Sequence, residues 1–104
     1  HVTDLAHAHV LALEHLSGGG RGGAYNLGNG SGFSVREVIE MVKKVSGRDF
    51  EVREEARREG DPPVLVASSD RIRKELGWRP RYPQLESIVA SAWEWHRKHP
   101  EGYA

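Results

Sequence analysis

The sequence predicts an α/β chain in which short strands are joined to about four helices. Three observations carry this. Apolar residues recur at helical spacing in several stretches, each opened or closed by a capping residue, a Gly or a Pro. Between them lie runs of four residues rich in β-branched and aromatic side chains. Two of these runs have apolar residues facing both ways, as expected where helices cover both faces.

Thr3 or Asp4 can cap a first helix running to about Leu16, with Leu5, His9, Ala12 and Leu16 on one face and Val10 and Leu13 beside it. The glycines from Gly18 to Gly23 stop it. Ala24–Leu27 reads as a strand and Gly28–Gly32 as a tight turn. Ser34 and Glu37 then form a capping box, in which each side chain satisfies a free backbone donor at the start of a second helix. Val35, Val38, Ile39, Val42 and Val45 give that helix an apolar stripe, and Gly47 closes it. Phe50–Arg53 reads as a second strand and Val64–Ala67 as a third. Ser68, Ser69 and Asp70 cap a short helix through Leu76, stopped by Gly77. A Pro-rich connector leads to a last helix over about 84–98, with Leu85, Ile88, Val89, Ala92 and Trp95 or His96 inward. Trp93 and Trp95 lie about 200° apart on it, so one should be buried and the other at an edge.

With 104 residues there is material for one core, and the whole of 1–104 reads as a single segment. The formal net charge is zero, so no broad field favours nucleic acid or an anionic membrane, and anion binding must be local. No Cys is present, which excludes disulfides, thiolate metal sites and Cys nucleophiles and fits a cytoplasmic setting. No apolar run approaches the roughly 20 residues of a spanning helix. Three short strands and four helices make a thin core, and the chain opens on His1 with no Met. Both features lead us to expect a fragment of a larger protein.

Most candidate motifs have structural explanations. Gly18–Gly23 contains a literal Gly-x-Gly-x-x-Gly, but a helix precedes it and a strand follows, the reverse of a dinucleotide site. Gly28–Gly32 has the right order, but Phe33 stands where a third Gly belongs and the Ser34 hydroxyl occupies the helix donors. His7 and His9 lie about 200° apart on a helix, and only His1 with Asp4 has usable metal-ligand spacing. No Tyr is followed four residues later by Lys, the proton-transfer pair of short-chain dehydrogenases.

The stretch from Arg57 to Pro62, Arg-Arg-Glu-Gly-Asp-Pro, is the most informative. Guanidinium forks pair with phosphate oxygens in two parallel hydrogen bonds. Gly60 permits close backbone approach or positive φ, and Asp61 can accept from ribose or sugar hydroxyls. Taken alone, the hexapeptide reads more readily as a solvated charged turn.

Five segments occur in order. His1-Val2-x-Asp4-Leu5-Ala6-x-Ala8-His9 is followed by Tyr25-Asn26-Leu27-Gly28-x-Gly30-x-Gly32-x-Ser34-Val35. Then come Arg57 to Asp61, Glu75-Leu76-Gly77-Trp78, and Trp93-x-Trp95 with Pro100-x-Gly102-Tyr103. Across essentially its whole length the chain resembles the carboxy-terminal, substrate-binding part of the UDP-glucose 4-epimerase family, isomerases among the extended short-chain dehydrogenase/reductases.

The resemblance implies a missing amino-terminal Rossmann domain that binds NAD and carries the catalytic Tyr and Lys. It also implies a homodimeric parent acting on UDP-glucose and UDP-galactose in galactose metabolism. It puts Arg58 on the UDP diphosphate, has Asp61 bond to the ribose or place Arg58, and lines the same loop with Glu59 and Gly60. Leu65 stands where some members have a nucleotide-contacting Tyr. The chain alone is expected to bind no NAD, hold no metal and be inactive. Two other readings remain: a segment of another NAD-dependent nucleotide-sugar epimerase or dehydratase, and a non-catalytic nucleotide-sugar binding module.

Overall fold

A computed structural model describes residues 1–103. Its helices are α1 (Val2–Ser17), α2 (Val35–Ser46), α3 (Asp70–Leu76) and α4 (Leu85–Lys98). The chain divides into two compact units. One comprises His1–Gly32 and Val66–Pro83 and carries α1 and α3; the other comprises Phe33–Leu65 and Gln84–Ala104 and carries α2 and α4.

Among the described residues there is no β-strand. The runs expected as strands, 24–27, 50–53 and 64–67, are irregular connectors, so the α/β expectation is corrected to helices joined by irregular segments. The reason is physical. A strand exists only as a member of a hydrogen-bonded ladder, and no backbone hydrogen bond joins these runs to one another. Side-chain preference for an extended backbone does not supply a pairing partner.

In the first unit, Ala8, Ile72 and Trp78 are buried, and Leu11, Tyr25, Leu27 and Leu76 pack against them. The cap of α1 is His1, whose Nδ1 accepts from the Thr3 amide at 3.1 Å. Asp4 is not the cap. It lies inside the first turn and is buried, with its two carboxylate oxygens accepting from the backbone amides of Arg81 (2.8 Å) and Tyr82 (3.0 Å). The Trp78 indole Nε1 donates to the Asp4 carbonyl at 2.9 Å. One residue of α1 thus secures the 78–82 connector through three hydrogen bonds.

The inward face of α1 also differs from expectation. Asp4, Ala8 and Leu11 face the core, whereas Leu5 and Leu16, expected inside, are exposed.

Ser69 is fully buried and does more than precede α3. Its hydroxyl donates to the Gly28 carbonyl at 2.9 Å and accepts from Arg73 Nε at 3.0 Å. This contact brings 28 and 67 so close that a Cβ on Gly28 would stand 2.5 Å from the Ala67 carbonyl oxygen. Backbone, not a movable side chain, is the obstacle. Gly28→Ala should therefore cost about 1–3 kcal/mol of stability, the range for forced overpacking. A urea midpoint unchanged from the parent sequence would show that the segments separate freely.

In the second unit the capping box forms as expected. Glu37 N donates to Ser34 Oγ at 3.1 Å, and Ser34 N donates to the Glu37 carboxylate at 2.7 Å. Gly47 ends α2 in the left-handed region, at φ 65°. Helices α2 and α4 pack together, with Lys44 Nζ 3.0 Å from Glu86 Oε2. Leu85, Ile88 and Val89 are half-buried, but Ala92 is exposed. Neither Trp of α4 is fully buried. Arg48 lies 5.5 Å from the Trp93 ring centroid, and Trp95 stacks on His99 at 4.9 Å.

Candidate functional site

The Arg57–Pro62 stretch forms an exposed loop of the second unit, between α2 and the end of that unit's first segment. Its backbone turns back on itself, with Asp61 N donating to the Arg58 carbonyl at 3.3 Å. Gly60 sits at φ +86°, a conformation a side chain would strain. Across this turn Arg58 Nε donates to Asp61 Oδ2 at 3.0 Å. The structure therefore joins two of the four candidate residues directly, Arg58 and Asp61, and Gly60 supplies the turn that lets them meet. Glu59 and the neighbouring Arg57 are exposed, and no ion pair involves either among the described residues.

This arrangement has a chemical consequence. The Arg58 side chain is 86% exposed, and only its Nε is used. Its two terminal nitrogens make no hydrogen bond among the described residues, so the planar fork is oriented at its base and open at its tip. Such a fork can take two oxygens of one anion. An ion pair this exposed adds little to stability.

Beside the preceding residues runs an open groove of 840 Å³, lined by Val35, Ile39 and Lys43 of α2 and by Val52, Arg53 and Glu54. Along it Arg36 pairs with Glu54. Arg53 Nε pairs with Glu51 at 2.8 Å, and this contact raises the Arg53 pKa.

The other motifs take up structural work. Ser34 and Glu37 occupy the first donors of α2, so that terminus offers no ready anion cradle. His9 Nδ1 lies 2.7 Å from the Leu5 carbonyl, and His1 caps α1. Asp4, weighed with His1 as a metal pair, spends both oxygens on backbone amides. No group of three His, Cys, Asp or Glu gathers as a metal site among the described residues. Gly18–Gly23 links α1 to an irregular segment rather than a strand to a helix.

Sequence reasoning did not anticipate one polar cluster in the first unit. The Tyr25 hydroxyl donates to Glu75 Oε2 at 2.8 Å, and Arg71 Nε donates to Glu75 Oε1 at 3.0 Å. Arg71 also reaches the Ala24 carbonyl at 3.1 Å and lies 5.0 Å from the Tyr25 ring centroid. The hydrogen bond to Glu75 raises the Tyr25 pKa above its ordinary value; donation by Tyr25 and then Arg71 lowers that of Glu75. A phenol that must accept a substrate proton needs the opposite shift. The contacts of Arg71 and Glu75 with Ala24 and Tyr25 span 47 and 50 residues and leave no local signal; only the Arg71–Glu75 pair, at i, i+4, is local.

No family model matches the chain. Its sequence is 53% identical over 104 residues to the UDP-glucose 4-epimerase of Halalkalibacterium halodurans, covering all of this chain and 31% of that protein. It is 45% identical over 103 residues to the Lacticaseibacillus casei enzyme of the same name, again 31% of that protein. A solved UDP-glucose 4-epimerase superposes with a TM-score of 0.93 at 47% identity, over the whole of this chain and 32% of that one. A solved UDP-Glc/GlcNAc 4-epimerase from Campylobacter jejuni gives 0.82 at 46% identity, covering 94% of this chain and 30% of that one. The chain thus spans about a third of the length of the relatives it matches.

Proposed function

We propose that residues 1–104 are the carboxy-terminal, UDP-sugar-binding segment of a UDP-glucose 4-epimerase. The observation that carries this reading is the Arg58 fork, held at Nε by Asp61 and open at both terminal nitrogens. Similarity over the whole chain to enzymes of that name supports it.

In this reading Arg58 takes the diphosphate of the nucleotide, with Gly60 and Glu59 shaping the loop around it. Asp61 orients the guanidinium and offers its remaining oxygen to a ribose hydroxyl. The reaction inverts C4 of the hexose, so the sugar must turn over between two hydride transfers. The nucleotide end stays anchored meanwhile. Strong contacts on the part of the substrate that does not react keep the 4-keto sugar from escaping. NAD supplies the hydride chemistry, and it is held outside these residues, since Gly18–Gly23 lacks the strand-to-helix context of a dinucleotide site. The reading includes a Rossmann domain and a dimeric parent.

The test is a chimera in which this chain replaces its matching segment of the H. halodurans enzyme. We expect the chimera to convert UDP-galactose to UDP-glucose, and the isolated chain with NAD to convert none. A folded but inactive chimera would overturn the assignment. A wider sugar range is favoured by one observation, the likeness to the UDP-Glc/GlcNAc 4-epimerase; assaying the same chimera with UDP-N-acetylglucosamine decides it.

A further inference from the structure

We propose that Asn29–Gly30 is a site of self-modification, at which Asn29 loses its side-chain amide as ammonia and becomes aspartate or isoaspartate. The pair lies in an irregular segment, outside every helix. The Gly30 amide N–H makes no hydrogen bond among the described residues. Gly30 is exposed, and it has no Cβ to shield its nitrogen. A terminal nitrogen of Arg73 stands 4.0 Å from the place a Cβ on Gly30 would occupy.

The chemistry needs only water. The Gly30 nitrogen gives its proton to solvent and attacks Asn29 Cγ. A C–N bond forms, the Cγ–Nδ2 bond breaks, and Nδ2 leaves as ammonia with a proton taken from solvent. The cyclic imide then takes up a water molecule. Opening on the Cγ side gives aspartate. Opening at the main-chain carbonyl gives isoaspartate, whose backbone runs through Cβ. Nothing is oxidised or reduced.

Arg73 is placed to assist. Its Nε donates at 3.0 Å to the hydroxyl of Ser69, which is fully buried. The guanidinium is thus held at its base, and its terminal nitrogens make no hydrogen bond among the described residues. Negative charge builds on the Gly30 nitrogen and then on the Asn29 oxygen during the attack, beside this positive charge. A unit charge about 4 Å away is worth about fivefold in rate even at the dielectric of water. An open cavity of 590 Å³, lined by Asn29, Gly30, Ser31, Ser68 and Arg73 among others, brings water to the pair.

One contact works against the reaction and gives it a consequence. Asn29 Nδ2 donates to the Pro83 carbonyl at 3.1 Å. Holding the amide there slows the attack by no more than about tenfold, the net worth of one such bond. The product carboxylate has no proton to donate, so oxygen would face oxygen and the contact is lost. Asp4 holds Trp78, Arg81 and Tyr82 of the 78–83 connector, whereas Asn29 holds Pro83. Conversion therefore frees the far end of that connector. The Arg58 loop takes no part.

The chain carries its own control. Its one other Asn, Asn26, is exposed but followed by Leu27, whose side chain crowds the attacking nitrogen. The chain is incubated at neutral pH with and without denaturing urea, and its peptides are followed by mass spectrometry with isoaspartate detection. We expect Asn29 to convert in the folded chain within about tenfold of its rate in urea. Asn26 should be at least about tenfold slower than Asn29. Arg73→Gln should lower the folded rate about fivefold and leave the rate in urea unchanged. The converted chain should unfold at lower urea than the fresh one, and Asn29→Gln, which must close a larger ring, should keep its midpoint through the incubation. A folded rate more than about a hundredfold below that in urea would overturn the proposal, because the fold would then protect the pair. So would equal conversion at Asn26, or an Arg73→Gln chain that converts as fast as the parent sequence. An unchanged midpoint after conversion would overturn the link to the connector.

Discussion

Arg58→Ala in the chimeric enzyme should weaken UDP on the order of a hundredfold, whereas Arg57→Ala should change it by less than about threefold. The size follows from losing two charge-assisted hydrogen bonds to one diphosphate, at the lower end of their range. The asymmetry follows from the loop. Only Arg58 is oriented by Asp61, with its fork tip open, while no ion pair involves the neighbouring Arg57 among the described residues. Arg58→Lys should recover only part of the loss, because an ammonium restores charge but not the planar fork. Asp61→Ala should weaken UDP less than Arg58→Ala, since it frees the guanidinium without removing it. Titration calorimetry with UDP reads all four variants. Equal losses at Arg57 and Arg58 would mean that the loop acts as a diffuse cationic patch, and unchanged affinity in Arg58→Ala would remove it from the site.

What the sequence made legible was mostly local. Ser34 and Glu37 are three residues apart, and their capping box formed as the spacing requires. Arg58 and Asp61 are also three apart, with a Gly between them that permits the turn, so their contact is a local one, of the kind the family resemblance implied. The failures were non-local. Runs such as 50–53 have strand-like side chains, but a ladder needs a second strand at a position the run itself does not specify. Ser69 looked like a simple cap because its contact with Gly28 spans 41 residues.

Helix α1 is the most instructive case. Its periodicity offered two inward faces, and hydrophobicity alone chose the one with larger side chains. The choice of the Asp4–Ala8–Leu11 face was made by Trp78 and Ile72, far along the chain. A carboxylate at a core position reads as an error until its partners are known, and those partners are 77 and 78 residues away.

That carboxylate should be among the costliest side chains in the first unit to remove. Asp4→Ala should lower stability by about 3 kcal/mol, because it removes a buried carboxylate and with it the acceptors of two part-buried backbone amides, those of Arg81 and Tyr82. Against a typical total of roughly 5–15 kcal/mol, this would remove a large share. Asp4→Asn should fall between. Its amide keeps the shape, but one carboxylate oxygen becomes an NH₂, which donates and cannot accept from the second backbone amide. Glu14→Ala, an exposed carboxylate on the same helix, should change stability by less than about 0.5 kcal/mol and controls for helix charge. Urea unfolding followed by tryptophan emission suits the test, since Trp78 is 2% exposed and its indole donates to the Asp4 backbone. Coincident midpoints for Asp4→Ala and Glu14→Ala would mean that the connector is held by Trp78 and Ile72 packing, with the carboxylate incidental.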